Sequence, residues 1–93
     1  MYSLEIKPEA DKIFLKLSKK NPNLLKIIDK KINEIRLNPY GYKYLKKPLN
    51  GFNRVHIDKH FVLVFKINHN KKMIDIYYFE HHDKVYQWKP KNN

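Results

Sequence analysis

Five apolar residues in succession, Phe61-Val62-Leu63-Val64-Phe65, constrain this chain more than any other feature. A strand sends alternate side chains to opposite faces, so an unbroken β-branched and aromatic run has no face suited to water. The stretch from His60 to Ile67 therefore predicts a central strand covered on both sides. Ninety-three residues suffice for one such core and not for two, which predicts a single domain over residues 1–93. Seven Tyr, five Phe and one Trp supply enough bulk to fill it.

The flanking segments supply its partners. Tyr2 to Lys7 alternate in polarity and end at Pro8, as a short strand leading into a helix does, because Pro loses nothing in the first helical turn. Ala10, Ile13, Phe14 and Leu17 then fall on one helical stripe. Asn21-Pro22 repeats the start signal, and Leu25, Ile28, Ile32 and Ile35 continue at helical spacing as far as Asn38-Pro39. Two helices joined by so short a link predict an antiparallel hairpin. From Pro39 to Gly51 the chain reads as an ordered loop with no helical period. Val55 and Ile57 alternate with Arg54 and His56 in a second strand; Asp58-Lys59 suits a turn; Met73 to Phe79 forms a last strand after the turn at Asn68–Lys72. The tail from Glu80 to Trp88 suits a short C-terminal helix or an extended arm, and Lys89–Asn93 a frayed end. The whole predicts an α+β fold of order β-α-α-β-β-β, a helical hairpin packed on a small antiparallel sheet.

Charge narrows the partners. Twenty Lys and Arg against nine Asp and Glu give +11, which calls for a polyanion: nucleic acid, an acidic protein, or both. The basic residues spread along the chain instead of lining one amphipathic helix, which argues against a membrane surface. No apolar stretch approaches the roughly 18–20 residues of a membrane span, and Met1 to Pro8 lacks the apolar core of a signal peptide. The chain has no cysteine, so disulfides and thiolate chemistry are excluded and a cytoplasmic setting is expected. Two glycines build no phosphate-cradling loop, and Ser3 and Ser18 offer no serine nucleophile setting, so no cofactor is expected.

Three groups carry candidate chemistry. Period two puts Arg54 and His56 on one strand face, either as a guanidinium–imidazole pair or as two ordinary solvated residues. Glu80-His81-His82-Asp83-Lys84-Val85-Tyr86 follows the last strand, where histidines can act as acid, base or phosphate ligand. Together with His56 and His60 these histidines raise a metal question, but their spacing matches no common zinc pattern, and no metal site is expected. Tyr40, Tyr42 and Tyr44 interleave with Lys43, Lys46 and Lys47, a mixture that either stacks on bases or anchors the loop to the helices.

The element order, Lys47-Pro48-Leu49-Asn50-Gly51-Phe52, the Arg54–Phe65 hairpin and a closing His82-x-x-Val85-Tyr86 resemble RelE/ParE toxins over nearly the whole chain. The resemblance implies an endoribonuclease that cuts mRNA on the ribosome, restrained by an acidic antitoxin in a hetero-oligomer. It aligns Arg54 and His56 with the family's basic pair, and Tyr86 with its C-terminal tyrosine. Lys46 and Lys47 fall where a charged residue precedes the Leu-Gly turn. Arg54, His56, His82 and Tyr86 are thereby the catalytic candidates, and Lys46, Lys47, His81 and Lys84 the RNA-binding ones. Two positions depart from the family: Val62 stands where an arginine is usual, so Val62→Arg is expected to restore a cation, and His81-His82 replaces His-Arg. A gyrase-binding toxin of the ParE kind and a non-catalytic nucleic-acid-binding module are the alternatives.

Overall fold

The protein is described by a computed structural model covering residues 1–90; positions 91–93, the end of the expected frayed tail, lie outside the described residues. Strand β1 (Ser3–Ile6) leads into helices α1 (Pro8–Lys20) and α2 (Pro22–Leu37), followed by strands β2 (Lys43–Tyr44), β3 (Asn53–Ile57), β4 (Phe61–Asn68) and β5 (Met73–His81), and a single 3₁₀ turn at Val85–Gln87.

Local chemistry accounts for the helical hairpin. Pro8 opens α1 with Glu9 and Asp11 in its first turn, and Lys19 and Lys20 close it, charges of the sign that each end of the helix dipole favours. Asn21 serves both helices: its N–H donates to Leu17 O at 2.8 Å, ending α1, while its Oδ1 accepts from the Leu24 N–H at 3.2 Å, starting α2. With a single residue as the joint, the helices must fold back on each other. Asn21→Ala should therefore cost about 1 kcal/mol, lowering the melting temperature by about 4–8 °C in calorimetry.

The sheet runs β1-β5-β4-β3-β2, with β4 at its centre. The order expected from sequence is present, with two additions. Strand β1 pairs parallel to β5 through Leu4↔Ile74 and Ile6↔Ile76, so the sheet is mixed and not wholly antiparallel. The two-residue β2 extends it beyond β3, pairing Lys43 with Arg54. Strand β5 also runs on through Glu80 and His81, which the sequence reading set just past the strand.

The unbroken apolar run of β4 serves two layers. Leu63 and Phe65 join Ile57, Ile74, Ile76 and Phe79 beneath Ala10, Phe14, Ile28, Ile32 and Ile35 of the helices. Val62 and Val64 join Leu45, Leu49, Phe52, Val85 and Trp88 on the opposite face. At Val64/Phe65 the register slips, since Val64 pairs with Tyr78 and Phe65 with Ile76. The extra residue is Tyr77, and both Tyr77 and Tyr78 pack against the second layer. Trp88 stacks on Tyr78 at 4.9 Å and meets Phe52 edge-on at 5.2 Å. Its Nε1–H donates to Glu9 Oε1 at 3.0 Å, tying the C-terminal arm to the first turn of α1. Among the described residues no helix is long and apolar enough to cross a membrane.

Candidate functional site

Strand β3 sets the first group. Val55 and Ile57 pack toward the helices, which leaves Arg54 and His56 on the other face, as the alternation predicts. Arg54 Nη1 lies 3.5 Å from His56 Nδ1, close enough for the guanidinium to donate to a neutral imidazole. Across the ladder, Arg54 is flanked by Lys43 and Val64, and His56 by Val62, whose other neighbour is Glu80. Gly41, Tyr42 and Lys43 complete a shallow hollow around the pair. Lys43, expected from sequence as part of the loop's Tyr–Lys mixture, stands beside Arg54, a position that depends on a strand too short to leave a pattern.

The Lys46–Lys47 turn is fixed from below. Leu45 and Leu49 are buried in the second layer. Leu45 N–H donates to Phe52 O, Leu49 N–H to Lys46 O, and Phe52 N–H to Leu49 O. Gly51 makes the reversal at φ +98, a backbone region that side chains disfavour. Both lysines are left exposed on a defined turn. Tyr86 is held in a similar way: Val85 is fully buried and Trp88 nearly so, and between them the Tyr86 ring stays 52% exposed. A rigid turn that presents an aromatic ring to solvent is a prepared contact surface.

His82 is drawn elsewhere. Its N–H donates to His60 O at 2.8 Å, and its Nδ1 lies 3.0 Å from Asp83 Oδ1. The His81 and His82 rings stack at 4.5 Å, and His60 lies over both, at 6.1 and 6.4 Å. Lys84 is exposed just beyond, its N–H bonded to His81 O. The structure thus brings Arg54 to His56, and His82 to His60 and His81. Among the described residues no hydrogen bond joins these two groups: Arg54 lies toward the open end of the β3–β4 ladder, His56 one pair from its turn, and His60 in the turn itself. His60 entered this cluster through strand register, which linear spacing does not display.

Val62 corrects one expectation. It is 2% exposed, enclosed by the second apolar layer. An arginine there would not restore a free cation, because the position lies inside the buried layer shared with Val85 and Trp88 and has Glu80 as its neighbour on β5. Tyr78 is a further polar group near the site, on the same strand as Glu80, the first residue of the expected C-terminal candidate segment. Burial raises the Tyr78 phenol above its ordinary range, and the Glu80 and Glu9 carboxylates add to this, so Tyr78 remains a neutral donor. Glu80 Oε1 accepts from the His81 N–H at 2.8 Å, which keeps a carboxylate at the edge of an otherwise cationic face.

No protein-family model matches the chain. A Methanocaldococcus jannaschii protein named as toxin RelE4 is 53% identical over 89 residues, covering 96% of this chain and 95% of its own length. Among solved structures, the YoeB/ParE toxin from Agrobacterium tumefaciens superposes with a TM-score of 0.76 at 13% identity, over 86% of this chain and 98% of that one. A chain of the intact E. coli RelBE toxin–antitoxin complex gives 0.70 at 16% identity, over 87% and 96%. These superpositions show a shared fold, while the M. jannaschii likeness extends to half of all side chains over nearly the full length of both proteins. On that likeness the chain belongs to the RelE/ParE superfamily of toxin–antitoxin toxins.

Proposed function

We propose that this toxin is a metal-independent endoribonuclease that cleaves mRNA on the ribosome and so halts translation. The observation that carries the reading is the Arg54–His56 pair, set on the sheet face that also carries the Lys46–Lys47 turn and the arm presenting Tyr86. Cleavage of RNA by its own 2′-hydroxyl needs three things from a protein: a base for the 2′-proton, cations for the phosphorane, and an acid for the leaving 5′-oxygen. The O2′–P bond forms as the P–O5′ bond breaks, leaving a cyclic phosphate and a 5′-hydroxyl. Arg54 suits the charge of the phosphorane, with Lys46 and Lys47 on flanking phosphates. His56 and His82 suit proton transfer. Tyr86 suits stacking on a splayed base or a share in the proton transfer. Lys84, exposed beyond β5, extends the contact, and His81, paired with Phe61 on the opposite face of the sheet, would meet RNA only at the strand end.

A net charge of +11 supports an acidic antitoxin as the controlling partner. Leu15, Ile27 and Leu37, exposed on the helices, offer apolar anchors for a segment that folds on binding. The solved Staphylococcus aureus YoeB–YefM complex, whose toxin shares this fold, supports such a hetero-oligomer. Toxin, messenger and ribosome would then meet in the cytoplasm.

One observation favours a second reading. An apolar Val62 in place of the family's usual cation suits a ParE-like toxin that poisons gyrase by contact alone. Pulse labelling after induction separates the two. The nuclease reading expects amino-acid incorporation to stop while thymidine uptake continues, and the reverse order would overturn it. Lys46→Ala and Lys47→Ala are expected mainly to weaken RNA binding, each lowering the slope of log K against log salt by about 0.7 in filter binding. An unchanged slope would remove both lysines from the RNA path.

A further inference from the structure

We propose that His60, His81 and His82 form a binding site for one divalent transition cation of the zinc class. One ring nitrogen from each of the three side chains lies within 4.8 Å of the other two. Three backbone features hold the cluster together. His82 N–H bonds to His60 O at 2.8 Å, His81 is paired with Phe61 at the end of the β4–β5 ladder, and the Phe61 ring meets the His81 ring edge-on at 5.7 Å.

Asp83 supplies what such a site needs beyond its ligands. One carboxylate oxygen lies 3.0 Å from His82 Nδ1 and the other 3.5 Å from His81 Nδ1. An imidazole that donates Nδ1–H to a carboxylate presents its Nε2 lone pair outward, which is how metal-bound histidines are commonly oriented. His82 Nδ1, 3.0 Å from Asp83 Oδ1, is within the distance that this arrangement needs. His81 reaches it by turning its Nδ1 from the Asp83 N–H, 3.2 Å away, to the Asp83 carboxylate. Tetrahedral zinc with nitrogen at about 2.0–2.1 Å needs ligand atoms somewhat over 3 Å apart. The cluster must therefore tighten, and exposed His60 and His82 side chains have the freedom to do so. A ligand group made of three imidazoles selects zinc, nickel or copper over magnesium or calcium. It also leaves one position for water.

Occupancy would withdraw His82 from RNA. That consequence rests on the endoribonuclease reading, whereas the binding itself does not. The test uses untagged full-length protein stripped by a chelator and titrated with Co²⁺, followed by its visible absorption, then with Zn²⁺ by calorimetry. One equivalent should bind, with zinc displacing cobalt. His60→Ala should abolish the site, Asp83→Asn should weaken it by about 10–100-fold, and His69→Ala, which lies against Tyr2 and Tyr40, should leave it intact. All three variants alter exposed side chains, and circular dichroism checks their folds. Absence of saturable binding, or equal binding by His60→Ala, would overturn the proposal. Zinc should then inhibit messenger cleavage by wild type and not by His60→Ala. A protein that binds one zinc yet cleaves no RNA in either state would retain the metal site and refute the nuclease.

Discussion

Replacing His82 by Ala, or Tyr86 by Phe, is expected to lower the cleavage rate of ribosome-bound messenger by about 10²–10⁴ with little loss of RNA binding. The expectation follows from where each side chain is held. Val85 and Trp88, both buried, fix the turn on which Tyr86 stands, so changing only its hydroxyl alters chemistry without unseating the arm. His82 is exposed and anchored through its backbone to His60, so loss of the ring leaves that anchor in place. Arg54→Ala should act differently, lowering the rate and also the affinity, because a cation beside the phosphate contributes in the ground state as well as in the transition state. Rates from single-turnover assays, with folding confirmed by circular dichroism, decide the matter. Full activity in both His82→Ala and Tyr86→Phe would return these groups, and the pair at Arg54 and His56, to the status of ordinary surface residues.

Val62→Arg is expected to destabilise the fold by about 1–3 kcal/mol, the usual cost of forcing extra bulk into a filled layer. Resemblance to the family points the other way, toward a restored cation and higher activity. Burial decides between them. Val62 belongs to a filled apolar layer with Leu45, Leu49, Phe52, Val85 and Trp88, and Glu80, its neighbour on β5, already accepts from the His81 N–H, so the guanidinium must either crowd that layer to reach Glu80 or push the C-terminal arm away. Either outcome lowers stability, and the second also displaces Tyr86. For a domain with the ordinary 5–15 kcal/mol of stability, such a loss should be plain in urea denaturation. A Val62→Arg protein as stable as wild type and more active would mean that the arm does not close over β4 as described.

What could be read in the sequence was governed by local chemistry. Pro8 and the Asn21-Pro22 joint announce both helices, and the alternation of Arg54 to Ile57 places two side chains on one face without reference to any distant residue. The apolar run of β4 correctly announces two covered faces. What covers the second face was not legible, because Leu45, Leu49, Val85 and Trp88 come from segments without periodic pattern. The same limit hid the true setting of Val62. Pairing of β1 with β5 joins residues about 70 positions apart, as Leu4 and Ile74 show, and no local signal encodes it. The histidine cluster likewise depends on β4–β5 register, which brings His60 beside His81 and His82 across a gap that no zinc spacing rule covers.

The most direct measurement is end mapping of a defined messenger on ribosomes incubated with the purified toxin. The account predicts new 5′-hydroxyl ends within the ribosome-bound region, formed in the presence of chelator by wild type and not by Arg54→Ala. Messenger that stays intact at toxin concentrations sufficient to arrest translation would contradict it.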